Sequence, residues 1–284
     1  MPNYSTTGDV CASGREEAAQ GSAGGLSYRS YLTGDNKPNE GKITFWMEGR
    51  LLKASKPKKA APAVKDHKRG VVKGFSKRSR VRMRQKIAML RRSENPKLIT
   101  LTYPSEYPAA RASKRDLDVF EKRFRRRFIK AGMVWKLEPQ KRGAPHFHIM
   151  VWGVNKIPLE FLRLWVSKAW YDVVGSGDER HLKAGTRVED IRSRHGAMAY
   201  VAKYLGKEVD AADWHEPGRF WGVIGAENLP WAEAVTVSLN YHDVVQAMRL
   251  MRRYMRITAR WFSSLAMVCD NPERWFDCIA AMDG

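Results

Sequence analysis

The chain has 284 residues, 43% of them hydrophobic, enough for one sizeable domain or two small ones with a packed core. Its 51 Lys and Arg face 30 Asp and Glu, a net charge of +21, so the expected partner is a polyanion, first of all nucleic acid. No long apolar span or lipidation motif points to a membrane, and Cys11, Cys269 and Cys278 are too few and too scattered for a disulfide framework or a zinc knuckle.

The first residues lack the basic start and apolar stretch of a secretory signal, so the expected location is the cytoplasm. Residues 1 to about 40 are rich in Gly, Ser, Ala, Asn and Thr and read as disordered. The chain then turns strongly basic through "KPKKAAPAVKDHKRG" and "KGFSKRSRVRMRQKIAMLRR". Val81, Met83, Ile87, Met89 and Leu90 suggest a basic helix in the second half. We expect residues 1–92 to be a mostly disordered basic arm that touches phosphates.

Order rises after that. "PKLITLTYP" alternates and ends at Pro104, so it is an expected strand. "SKRDLDVFEKRFRRRFIKAG" reads as a helix with Ser113 as N-cap, a stripe of Leu117, Phe120, Phe124 and Phe128, and Gly132 as its stop. "MVWKLEP" and "HFHIMVWG" are expected strands. "PLEFLRLWVSKAWYDVVG" is an expected helix between Pro158 and Gly175, followed by a short strand "TRVEDIR". "RHGAMAYVAKYLGKE" is an expected helix ending near Gly206. "GRFWGVIG" is a loop or short strand, "AVTVSLN" a strand, and "YHDVVQAMRLMRRYMRITARWF" a long basic helix with Val244, Val245, Met248, Met251, Met255 and Trp261 as its apolar positions. The order implies an α+β fold: an antiparallel-rich sheet with helices packed on one face, of ferredoxin-like type. The expected division is an arm to residue 92, a domain over 93–240 and a C-terminal helical extension over 241–284.

Side chains alternate along a strand, so His146 and His148, either side of Phe147, point the same way. If the two strands around "PQKRGAP" form a hairpin, Glu138 falls near-opposite His146 and shares that face. Two imidazoles and a carboxylate converging on one point fit a divalent cation. A single histidine in a strand would more simply be a hydrogen-bonded structural residue. A same-face pair with a register-matched glutamate favours the metal. On the helix "AYVAKYLGKE", Tyr200 and Tyr204 are four apart and lie on one face, and Lys203 neighbours Tyr200. A tyrosine hydroxyl, pKa about 10, attacks poorly unless an ammonium or a polarised electrophile helps. Y-x-x-K alone is common by chance, and its force comes from occurring with H-x-H on a basic chain.

These motifs together resemble the HUH endonuclease superfamily (His-hydrophobic-His), in particular the two-tyrosine rolling-circle replication initiators of small single-stranded DNA phages and plasmids. "LITLTYP" resembles the family's first strand and "PHFHIMVW" its metal motif. "YVAKYLGK" resembles the catalytic helix, and "GRFWGVIG" the phage-type branch. The likeness covers about residues 96 to 240. It implies Mg²⁺ or Mn²⁺ held by Glu138, His146 and His148, attack by Tyr200 or Tyr204 on a phosphate of an origin strand, and assistance from Lys203. It also implies a 5′-phosphotyrosine link with a free 3′-OH primer, single-stranded origin DNA as partner, and a host helicase and polymerase. No G-x-x-x-x-G-K-[ST] occurs that would supply a fused helicase.

Two other classes compete. A single-tyrosine transposase or relaxase shares the metal motif but not the tyrosine pair. A non-enzymatic binder that stacks bases on Trp and Tyr explains the charge but not the His-x-His and Glu grouping. The histidine-triad hydrolases need a third histidine where Met150 stands.

Overall fold

The computed structural model describes residues 40–57, 72, 74–191, 198, 214–259 and 262–280. Within them the chain is α+β, built on two antiparallel sheets.

The larger sheet has five strands in the order β6-β3-β5-β4-β7. They are β3 (Lys97–Thr102), β4 (Gly132–Pro139), β5 (Pro145–Trp152), β6 (Thr186–Asp190) and β7 (Trp221–Ile224). Helix α2 (Ser113–Arg127) joins β3 to β4, and α3 (Leu159–Val174) with the short α4 (Glu179–Ala184) joins β5 to β6. The path β3-α2-β4-β5-α3-β6, with the spatial order β6-β3-β5-β4, is the split βαβ arrangement of the ferredoxin-like fold. Alternation sends Ile99, Leu101, Met133, Trp135, Leu137, Phe147, Ile149 and Val151 to one face. There they meet Leu117, Phe120 and Phe124 of α2 and Leu162, Val166 and Trp170 of α3. Leu98, Val134, Met150 and Trp152 point to the other face, where Met83 and Ile87 of α1 (Lys77–Ala88) cover them.

The smaller sheet, order β8-β1-β2-β9, corrects the expectation of an arm up to residue 92. Strands β1 (Gly41–Trp46) and β2 (Leu51–Ser55) form a hairpin with Phe45 opposite Leu52. β8 (Ala234–Leu239) pairs with β1, and β9 (Ser264–Val268) with β2. Helices α5 (Tyr241–Tyr254) and α6 (Pro272–Ala280) complete its core through Val244, Met248, Met251, Phe276 and Ile279. Ile43, Phe45, Leu52 and Ala54 are the period-two apolar face that needs this cover. The expected boundaries after 92 and 240 therefore cut through one sheet, and the C-terminal extension contains a strand as well as helices. Backbone bonds join the two units: Arg50 N to Ala88 O at 2.7 Å, Arg92 N to Glu48 O at 2.8 Å and Ala232 N to Met89 O at 2.9 Å.

Three element ends differ from expectation. Ser113 is the first helical residue of α2 rather than its N-cap, and its buried hydroxyl donates back to Ala110 O at 2.9 Å. α2 stops at Arg127, and Gly132 opens β4, where Leu229 packs so closely that a side chain would collide. α5 ends at Tyr254 instead of running to Phe262, because Arg256 takes a left-handed turn at φ 53° that sends the chain back toward β9. Helix α4, capped by Asp178 accepting from Arg180 N at 2.8 Å, was not anticipated.

The hairpin at residues 41–55 makes a testable claim on stability. Phe45 is 2% exposed and stacks on Phe276 at 5.3 Å between ring centres. Phe45→Ala should cost about 3–5 kcal/mol of unfolding free energy, measured by urea titration. A surface arm would lose nothing measurable.

Candidate metal centre

Two rows of side chains cross the centre of the larger sheet. Thr102, His146 and Glu138 are direct cross-strand neighbours on β3, β5 and β4, and Thr100, His148 and Lys136 form the next row. Both rows point away from α2 and α3, because Leu101, Phe147 and Leu137 between them are in the helix-covered core. The hairpin turn at 140–144 is held by Gln140 N to Ala144 O at 2.9 Å and by Gly143 at φ 82°. That turn sets the register bringing Glu138 opposite His146.

His148 Nε2 lies 2.7 Å from Glu138 Oε1. Thr100 Oγ1 lies 3.4 Å from His148 Nδ1, and Thr102 Oγ1 lies 3.1 Å from His146 Nδ1. Each threonine thus occupies Nδ1 and makes Nε2, which in His148 meets Glu138, the candidate ligand atom, the way outer hydrogen bonds fix a ligating imidazole. The two rings stand 4.6 Å apart at 85°. One donor atom from each of Glu138, His146 and His148 lies within 4.8 Å of the others.

The protonation states suit a cation. Burial pushes the Glu138 carboxyl up, but the hydrogen bond from His148 and the Lys136 charge outweigh it and hold the group at about 2. Burial, then the neighbouring His148, push the His146 imidazole down to about 4, against the pull of Glu138. At neutral pH Glu138 is ionised and His146 keeps a free lone pair, which is what a metal requires of its ligands. Lys136, 1% exposed, forms an ion pair with Glu138 Oε2 and lies 5.9 Å from the centre of the Phe75 ring. A carboxylate with two imidazoles fits a divalent ion, and the donor set does not by itself choose which.

Lys136, Thr100 and Thr102 were not among the residues singled out from sequence. Lys136 carried a signal, since alternation puts it two residues before Glu138 on the same face. His181 is a further addition. Its Nε2 and Trp170 Nε1 meet the Thr102 carbonyl at 2.9 and 2.8 Å, and Ser176 Oγ sits 2.9 Å from its Nδ1. These bonds pin β3 beside His146. Tyr200, Lys203 and Tyr204 lie outside the described residues, as does most of the helix expected over 194–208. Met198, two residues before Tyr200, packs against the Leu98, Met150 and Trp152 cluster on the same sheet face as the histidines.

A sheet of this topology, with two histidines and a glutamate on the face away from α2 and α3, defines a candidate metal-dependent domain. Residues 96–209 match the family model of the replication-associated protein ORF2/G2P. The chain is also 26% identical over 156 residues to the replication-associated protein G2P of Pseudomonas phage Pf3. That alignment covers 51% of this chain and 54% of the phage protein, about half the length of each. The chain is thus similar to replication-associated proteins, one of them from a phage. No helix among the described residues is long and apolar enough to cross a membrane.

The depressed values of both groups set a pH dependence for the metal-free protein. The unfolded chain takes up protons that the folded one refuses, so stability falls as the pH is lowered. His146 contributes fully above 6.5 and is lost toward about 4, and Glu138 contributes above 4.5 and is lost toward about 2. His146→Asn should flatten the first interval and Glu138→Gln the second, read from urea midpoints across pH. An unchanged profile in His146→Asn would show that folding does not keep this imidazole neutral.

Proposed function

We propose that this chain is a replication initiator that cuts single-stranded DNA at an origin through tyrosine attack. The observation that carries this reading is the convergence of Glu138, His146 and His148 on one sheet face within the segment that matches the replication-associated family. A divalent ion, Mg²⁺ or Mn²⁺, held by these three would draw charge from the scissile phosphate and make it more electrophilic. The hydroxyl oxygen of Tyr200 or Tyr204 attacks phosphorus and gives up its proton. The bond from phosphorus to the 3′-oxygen breaks, and that oxygen takes a proton to become the 3′-OH primer. The strand's 5′ end stays on the tyrosine as a phosphodiester, so the energy of the cut bond is conserved and no nucleotide is hydrolysed. Lys203, next to Tyr200 on the expected helix, stabilises the developing charge. The second tyrosine cuts the regenerated origin and releases a circle. A host polymerase extends the primer while a host helicase opens the duplex.

Phe substitution tests the nucleophiles, since it keeps the ring and removes the oxygen. With a labelled origin oligonucleotide and Mn²⁺, Tyr200→Phe and Tyr204→Phe should each retain some covalent adduct and the double variant none. Complete loss in Tyr200→Phe, with normal circle release in Tyr204→Phe, would reduce the chain to a single-tyrosine enzyme. His148→Ala should lose the adduct at least a hundredfold while keeping most DNA affinity, which rests on Lys and Arg. A wild-type chain that binds the strand but forms no adduct would leave only a nucleic-acid binder.

A further inference from the structure

We propose that the smaller sheet carries a second site for single-stranded DNA, in a groove between α5 and the ends of β2 and β9. The groove encloses about 460 Å³ and is lined by Lys56, Tyr241, Val245, Met248, Arg249, Arg252 and Phe262. This lies within the ligand-sized range of about 300–1,000 Å³. Lys56 N bonds to Ser263 O at 2.9 Å, which brings the end of β2 against the residue after Phe262 and shapes one wall. Met248, 4% exposed, lies at its base.

The chemistry of the lining is one-sided. Three cations and two aromatic rings face the groove, and no acidic side chain is among its described lining residues. Some surface cations of other helices pair with a carboxylate on their own helix, as Lys122 does with Asp118 and Lys168 with Asp172. Arg249, by contrast, meets Gln246 at 3.4 Å, and the buried Nε of Arg252 has no hydrogen-bond partner among the described residues. A buried donor on a charged group is costly to leave unmatched, and an anion beside the Arg252 guanidinium would offset its charge. Arg249 and Arg252 are three apart on α5 and so lie on one helix surface.

Tyr241 supplies the other half of the recognition. It is 57% exposed at the rim, with Lys56 Nζ 5.9 Å from its ring centre. Cations that track phosphates beside a ring with a free face are the means by which single strands are held without sequence preference. A duplex keeps its base faces in its own stack and offers Tyr241 nothing to stack on. The net charge of +21 favours the polyanion. The choice of DNA rests on the function proposed above, whereas the preference for a single strand rests on the groove. Such a site would hold the strand away from the metal centre, a second grip beside the one at which the cut is made.

The test uses the full chain and fluorescence anisotropy with a labelled thymidine oligonucleotide in EDTA, so that the metal centre has no ion. Tyr241→Ala should weaken binding roughly tenfold, with little change in salt dependence. Arg249→Gln with Arg252→Gln should lower the slope of log affinity against log salt by about 1.4, the value for two single-strand phosphates. Arg249→Gln alone, at an exposed position, should lower it by about half as much. A duplex of equal length should lose less than the single strand on Tyr241→Ala. Wild-type affinity and slope in these variants would overturn the proposal, and so would an equal loss for single strand and duplex. Adduct formation on an origin oligonucleotide is read separately. Its absence would count against the nuclease reading and leave the anisotropy result to stand or fall alone.

Discussion

The antiparallel register of β5 between β3 and β4 is the constraint on which the site depends. A slip of one residue would turn His146 and His148 into the helix-covered core and bring Phe147 and Ile149 out on the opposite face. Packing prevents this. The Phe147 ring lies 6.2 Å from that of Trp135 and 6.5 Å from that of Trp170, and Leu101 and Leu137 flank it without exposure to solvent. Burying a single large apolar side chain contributes about 1.5–3 kcal/mol, and a slip would forfeit several at once. The greasy face of the sheet therefore fixes the polar face, and the spacing of the three donor atoms follows from contacts none of them makes.

The polar face carries its own cost. Lys136 is buried in the row next to Glu138, and a buried ammonium persists only with a close partner. Glu138 serves both histidine and lysine, so one carboxylate balances the local charge and is also a candidate ligand. Thr100 and Thr102 add no charge. Together with His181 they fix ring and strand positions through hydrogen bonds.

Part of this could be read from sequence. Alternation through "HFHIMVW" put the histidines on one face, and the length of "PQKRGAP" put Glu138 opposite His146; both statements are local and concern residues in one hairpin. The threonine supports were not visible, because β3 reaches β5 across 44 to 48 positions and no local pattern reports which strand lies beside another. Lys136 was visible but unremarkable, since a lysine in a strand ordinarily faces water. The smaller sheet was missed for the same reason as the threonines. Its hairpin is short, lies between polar stretches, and finds its partners some 192 positions away, as between Thr44 and Thr236. Helix α5 was drawn too long because Met255 keeps the apolar period while Arg256 leaves the helical conformation.

That separation of partners has a consequence for how the chain is made. The β1–β2 hairpin leaves the ribosome with both long edges unpaired, and β8 and β9 follow only after the whole larger sheet has been synthesised. At about 5–20 residues per second the wait is on the order of ten seconds or more. During that time Ile43, Phe45 and Leu52 have neither α5 nor α6 to cover them, and an open strand edge invites pairing with another chain. The larger sheet, whose strands all lie between residues 97 and 224, completes its pairing first. The nascent protein therefore passes through a stage with its larger sheet in place and its second sheet half built, and it is then that a neighbouring nascent copy or a chaperone meets its most exposed apolar surface.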